Sequence, residues 1–264
     1  MSSRLQALRA SRAATFALAA SLLAGCAVTP PGAPDDRAPP DVGQSPWARE
    51  SHLPVSLAPA PWAHHALPGK VPTQFSYVRI DGRDALSARS ESSASMVRLP
   101  VQVAGDRLSR LQFSWKVAQL IEEADMAVRS KDDSPVRVIL AFEGDRSRLS
   151  ARDLAVSELA RALTGEELPY ATLMYVWCNR RPVDTVIHNP RTDRIRKLVV
   201  ESGPRALGRW QDYERDIQAD FERAFGEKPG RLVGIAIMSD SDNTRSQGRA
   251  WYGPVRLVTT GETP

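Results

Sequence analysis

Leu232-Val233-Gly234-Ile235-Ala236-Ile237-Met238-Ser239-Asp240-Ser241-Asp242-Asn243-Thr244 changes character halfway along. Leu232 to Met238 is a short apolar run with two β-branched isoleucines, the length of one buried strand. From Ser239 onward the chain offers two carboxylates, an amide and three hydroxyls, and a second strand resumes near Ala250–Val258. A buried strand that ends in clustered oxygens and is followed at once by another strand marks a sheet edge carrying either a turn or a site.

The segments upstream supply partners for that strand. Leu111, Phe113, Trp115 and Val117 alternate with Gln112, Ser114 and Lys116, a period of two with one apolar face. After Pro135, residues Val136, Val138, Leu140 and Phe142 face one way, while Ile139 and Ala141 make the other face apolar too. That strand is expected to be central and covered on both sides. Thr172–Cys178 is bulky and apolar on both faces and reads the same way. Shorter strands are expected at Phe75–Ile80, Ala85–Glu91 and Met96–Pro100, and Thr185–Ile187 with Ile195–Glu201 reads as a hairpin.

Two helices interrupt the strands. Ser150 caps one that runs to about Leu163, with Leu154, Ala155, Leu159 and Leu163 as its apolar side and Gly165 past its end. The other is expected over Gln211–Phe225, with Tyr213, Ile217 and Phe221 on one side. About nine strands without regular strand–helix alternation argue against a doubly wound parallel sheet. The predicted fold is mainly β: an antiparallel two-sheet sandwich of jelly-roll type with two inserted helices, spanning residues 62–260.

The N-terminus is of another kind. Arg4, Arg9 and Arg12 precede an apolar run, Ala13 to Leu23, too short to span a bilayer as a stable anchor. Leu23-Ala24-Gly25-Cys26 resembles the lipobox of bacterial lipoproteins. The resemblance implies cleavage of residues 1–25 and lipidation of Cys26, and several acyl chains hold a protein to a membrane where one does not. Ala27 after the cysteine implies delivery to the periplasmic side of the outer membrane rather than retention at the inner one. Residues 26–61 are rich in proline and alanine and read as a tether.

Removing Arg4, Arg9 and Arg12 takes the formal charge of +4 to +1. With no basic stripe and interleaved aromatics, a nucleic-acid partner is not expected. Of the 2 cysteines only Cys178 then remains, so an intramolecular disulfide is excluded. Its apolar neighbours suit a buried, inert thiol.

The sequence contains no Gly-x-Ser-x-Gly elbow, Ser-x-x-Lys, His-Glu-x-x-His or glycine-rich phosphate loop. Candidate ligand-binding residues are Trp115, Glu143, Trp177, Asp240, Asp242 and Asn243. Asp240 and Asp242 alternate as calcium-loop ligands do, although the glycine and distant glutamate of an EF-hand are missing. A Ca2+ site and a strand-ending turn both fit that loop. Trp115 and Trp177 fit either a sugar-stacking platform or a core.

Phe113-Ser114-Trp115-Lys116-Val117, Asp132 to Val138, Leu173 to Trp177, Tyr213-Glu214-Arg215-Asp216 and Ile235 to Thr244, in that order, resemble an uncharacterised family of exported bacterial proteins. Its signature is Ile-Met-(Thr/Ser)-Asp-(Thr/Ser)-Asp-Asn-Thr. The resemblance covers residues 70–258 and implies a galactose-binding-like sandwich with no established activity. The expected function is a lipid-anchored periplasmic module that binds a carbohydrate or another envelope component, with no cofactor beyond calcium. The alternative is a hydrolase or lyase acting on envelope polysaccharide through Glu143, Asp240 and Asp242.

Overall fold

The computed structural model describes residues 42–260 apart from His52 and Val55. The leader, Cys26 and the first part of the tether lie outside the described residues.

Two sheets pack face to face. One has seven strands in the order β1 (Ala63–Ala66), β4 (Ala94–Val103), β11 (Leu232–Asp240), β6 (Ser134–Phe142), β7 (Ala171–Cys178), β9 (Ile195–Ser202) and β8 (Val186–His188). The other has six strands. Its path is β10 (Gln211–Asp216), β5 (Leu108–Val117), β12 (Gln247–Tyr252), β3 (Arg83–Glu91) and β2 (Gln74–Ile80), and β13 (Arg256–Thr259) also pairs with β5. All pairings are antiparallel except β7 with β9. The fold is a mainly-β two-sheet sandwich.

The period-two pattern explains the core. Leu111, Phe113, Trp115 and Val117 of β5 face Val136, Val138, Leu140 and Phe142 of β6 across one buried cluster. Fully burying each such side chain contributes about 1.5–3 kcal/mol. Ser150 accepts from the Asp153 amide and caps α2 (Ala151–Thr164), and Gly165 at φ 78° closes it in a left-handed turn.

Three expectations need correction. Gln211–Asp216 is strand β10, paired along its length with β5, and the helix α3 (Ile217–Phe225) begins only after Asp216, which caps it. The four-residue spacing of Tyr213, Ile217 and Phe221 mimicked one continuous helix. On α2 the polar residues Asp153 and Ser157 are buried, whereas Leu154, Leu159 and Leu163 face solvent.

The third correction moves the start of the folded body from 62 back to Val42. Ser45 caps the short helix α1 (Pro46–Glu50), and Trp47 is fully buried. The Trp47 indole N–H donates to the Gly253 carbonyl at 2.9 Å, and that of Trp62 to Ser51 O at 3.1 Å. The two rings lie 5.0 Å apart. The proline content of this stretch concealed the Trp47 anchor, which packs on the Trp62 that opens the expected body. Trp47→Ala is therefore expected to cost about 3–5 kcal/mol, read as a lowered urea midpoint with unchanged slope. A tether would show no change.

Candidate functional site

The loop after β11 meets the start of β6 in a buried charge cluster. Arg137 grips Asp240 with two bonds, Nε to Oδ1 and Nη2 to Oδ2, both 2.8 Å. The same Nη2 reaches the Asp132 carbonyl at 2.9 Å and its carboxylate at 3.2 Å. Lys197, on β9, donates to Asp132 at 2.7 Å and to Met126 O at 2.8 Å. Asp133 accepts from the Asn243 amide groups at 3.1 and 2.9 Å, and from Thr244 N at 2.7 Å and its hydroxyl at 2.6 Å. Asp242 pairs with Lys70.

Oxygens of Asp133, Asp240 and Asp242 lie within 4.8 Å of one another, a spacing that could hold a cation. Each of these carboxylates is already met by N–H groups, which offset the mutual repulsion. Asn243 serves as a donor to Asp133. We expect calcium to leave the thermal midpoint unchanged. Asp133→Ala should lower stability by about 1–3 kcal/mol through the orphaned amides of the 243–244 turn. A calcium-dependent rise in the midpoint that Asp242→Ala abolishes would establish a cation site instead.

Burial pushes the Asp240 carboxyl up to about 6, with Arg137 opposing and Asp133 and Asp132 adding to the rise. Burial likewise takes Lys197 down to about 8, helped by the charge of Arg137. The folded state thus holds the Asp240 proton more tightly than the unfolded chain. That contribution to stability is complete below pH 3.8 and is lost as pH rises through about 6. Between pH 4 and pH 7 the stability of wild type should fall relative to Asp240→Asn by on the order of 2–3 kcal/mol, measured by urea titration. An unchanged difference would mean that Arg137 keeps the carboxylate charged throughout.

The two candidate tryptophans are not platforms. Trp115 and Trp177 are fully buried. Trp115 packs on Phe113 and Tyr213, with ring centres 5.1 and 5.2 Å away, and the Trp177 indole donates to Gly203 O at 3.0 Å. Both point inward because both fall on the core parity of their strands. Cys178 is buried in a small second cluster with Met126, Val176, Ile187 and Val199.

The structure also reveals a groove of about 790 Å³ on the outer face of the seven-stranded sheet. Its floor includes Met96, Ile139, Met174, Ala236 and Met238, contributed by four adjacent strands. His65 and Leu67 line it from β1 and the turn that follows, and Ala160 and Thr164 from α2. Ion pairs stand at its rim: Arg98 with Glu166 through bonds of 2.7 and 2.8 Å, Arg146 with Glu167 at 3.1 Å, and Arg231 with Glu143 at 3.1 Å. Among the candidate residues only Glu143 lines this groove. The missed signal was the apolar second face of the central strands, which reads equally as a covered face and as an open floor.

A shallower depression of about 580 Å³ lies on the six-stranded sheet and is polar. Arg83 with Asp212, and Gln112 with Glu214, cross it in exposed pairs, and Arg110 engages Glu214 from outside it.

The family described as "Protein of unknown function (DUF3047)" matches residues 60–256. The chain belongs to the DUF3047 family. No curated protein matches it. Among solved structures, the DUF3047 chain is similar to the xyloglucanase domain of NopAA, a type three effector from Sinorhizobium fredii, in complex with cellobiose. The identity is 9%, with 76% of this chain and 93% of that chain covered at a TM-score of 0.41. In the DUF3047 chain, then, the conspicuous 240–244 loop is internally bonded, and the open surface lies along the sheet.

Proposed function

We propose that the protein is a non-catalytic, lipid-anchored binding module on the periplasmic side of the outer membrane. Its ligand is an envelope component whose apolar part lies along the groove. The carrying observation is an open thioether and aliphatic floor on the outer face of a sheet, at a volume usual for small-molecule sites. Methionine side chains adapt to irregular apolar ligands.

The hydrolase or lyase alternative needs two available carboxylates within about 5–10 Å. Asp240 and Asp242 do approach one another within 4.8 Å, but Asp240 is buried against Arg137 and Asp242 is paired with Lys70. Glu143 follows Phe142, which pairs with Leu232 at one end of β11, while Asp240 pairs with Ser134 at the other. Eight residues of strand separate these ends, roughly 26 Å. Along the rim, Glu143, Glu166 and Glu167 are each engaged by an arginine.

A second reading puts a glycan on the six-stranded sheet, where the exposed Tyr77 and the Arg83–Asp212 pair suit a hydroxyl-rich ligand. A dansyl-labelled fatty acid and a glycan array separate the two. The fatty acid should fluoresce on binding, and Met238→Arg should abolish the signal while Arg83→Ala leaves it intact. Glycan binding that Arg83→Ala removes and Met238→Arg spares would move the site to the other sheet.

A further inference from the structure

Helix α2 sits on the body with its polar side inward. Asp153 accepts from the Thr192 hydroxyl and from the Asp193 amide at 3.1 Å, and Ser157 accepts from Arg146 at 2.8 Å. The leucines face out: Leu154 is 42% exposed, Leu159 59% and Leu163 67%. Arg152, Val156, Leu159 and Leu163 follow the spacing of one stripe along a helix. Leaving such side chains partly in water forgoes part of the stabilisation that full burial would contribute. Leu159 and Leu163 share that stripe with the half-buried Val156, and contiguous exposed apolar surface of this kind marks contact surfaces.

Two arginines stand at the N-terminal end of the stripe, near the exposed Asp193, which faces Arg196 at 4.0 Å. Arg152 donates only to the Pro190 carbonyl at 3.0 Å, and the exposed Arg191 has no carboxylate partner among the described residues. The nearby acid Glu158 is paired with Arg161 at 2.7 Å. Leucines flanked by unpaired arginines suit an interface of acyl chains under anionic headgroups. From Cys26 to Val42 the chain spans at most about 55 Å when fully extended. A body tethered that closely can reach the bilayer.

We infer that the outward stripe of α2 docks on an anionic lipid surface. This rests on the proposed anchoring through Cys26 for proximity alone, and the two are tested apart. The docking test uses the mature chain from residue 26 carrying Cys26→Ser, floated with vesicles of phosphatidylethanolamine and phosphatidylglycerol. The unlipidated chain should float with these vesicles and less with phosphatidylcholine alone. Leu159→Glu with Leu163→Glu should lower the partition coefficient roughly tenfold or more. The thermal midpoint should hold, since both positions are exposed. Arg152→Ala should weaken flotation only on the anionic vesicles.

Absence of flotation, or flotation indifferent to the leucine substitutions, would overturn the inference. So would a dimer in light scattering that the leucine substitutions dissolve, which would give the stripe to a second copy of the chain. Anchoring is read separately from the mass of the acylated wild type and its fractionation with membranes, so either result stands without the other.

Discussion

Arg137 and Asp240 meet in a bidentate pair where neither side chain reaches water. Charges taken that far from solvent are costly unless their remaining donors and acceptors are satisfied. The consequences spread outward from that requirement. The Arg137 guanidinium has donors to spare, so it takes Asp132, and Asp132 in turn takes Lys197. Lys197 then holds the Met126 carbonyl. One ion pair thus fixes β6 and β11 to each other, to β9, and to the long loop ahead of β6. Asp133, the neighbour of Asp132, ties the 243–244 turn into the same knot.

This knot also sets where the outer sheet face is covered. Arg137, Ile139 and Ala141 point outward in turn along β6. At Arg137 the loop carrying Met126 lies over the sheet and seals Val176, Cys178 and Val199 into the second apolar cluster. By Ile139 and Ala141 the face has become the groove floor. The motif that draws attention in the sequence is therefore bonded into the fold, and it bounds the surface that is open to a ligand.

Much of the sandwich was legible because each sheet has one dry face. The alternation in β5 and β6, the apolar runs of β7 and β11, and the caps of α2 all follow from local chemistry that tertiary contacts do not override. What stayed hidden depends on the surroundings. Periodicity marks the leucine side of α2, but the buried side was decided by Thr192, Asp193 and Arg146, which satisfy Asp153 and Ser157. Trp47 lay in a proline-rich stretch, and only its bond to Gly253, 206 residues away, brings it into the core. Of the candidate site residues, Trp115 and Trp177 fell in strands whose patterning already suited a core, whereas the burial of Asp240 depends on its distant partner Arg137. Glu143 alone fell on the groove; Met174 and Met238 lie within the stretches that carry the family resemblance, yet nothing in those stretches marks an open floor.

The groove and the leucine stripe share a helix. Ala160 and Thr164 of α2 line the groove, while Leu159 and Leu163 of the same turns face away from the body. The sheet that forms the floor is held by continuous strand pairing, so the seat exists before a ligand arrives and binding need not order it. Its opposite wall, β1, is likewise paired to β4. An α-helix with its side chains is about 10–12 Å across. With the stripe against a bilayer, the groove lies one helix width from the lipid surface. An amphipathic component leaving that surface would then cross little water before meeting an apolar floor.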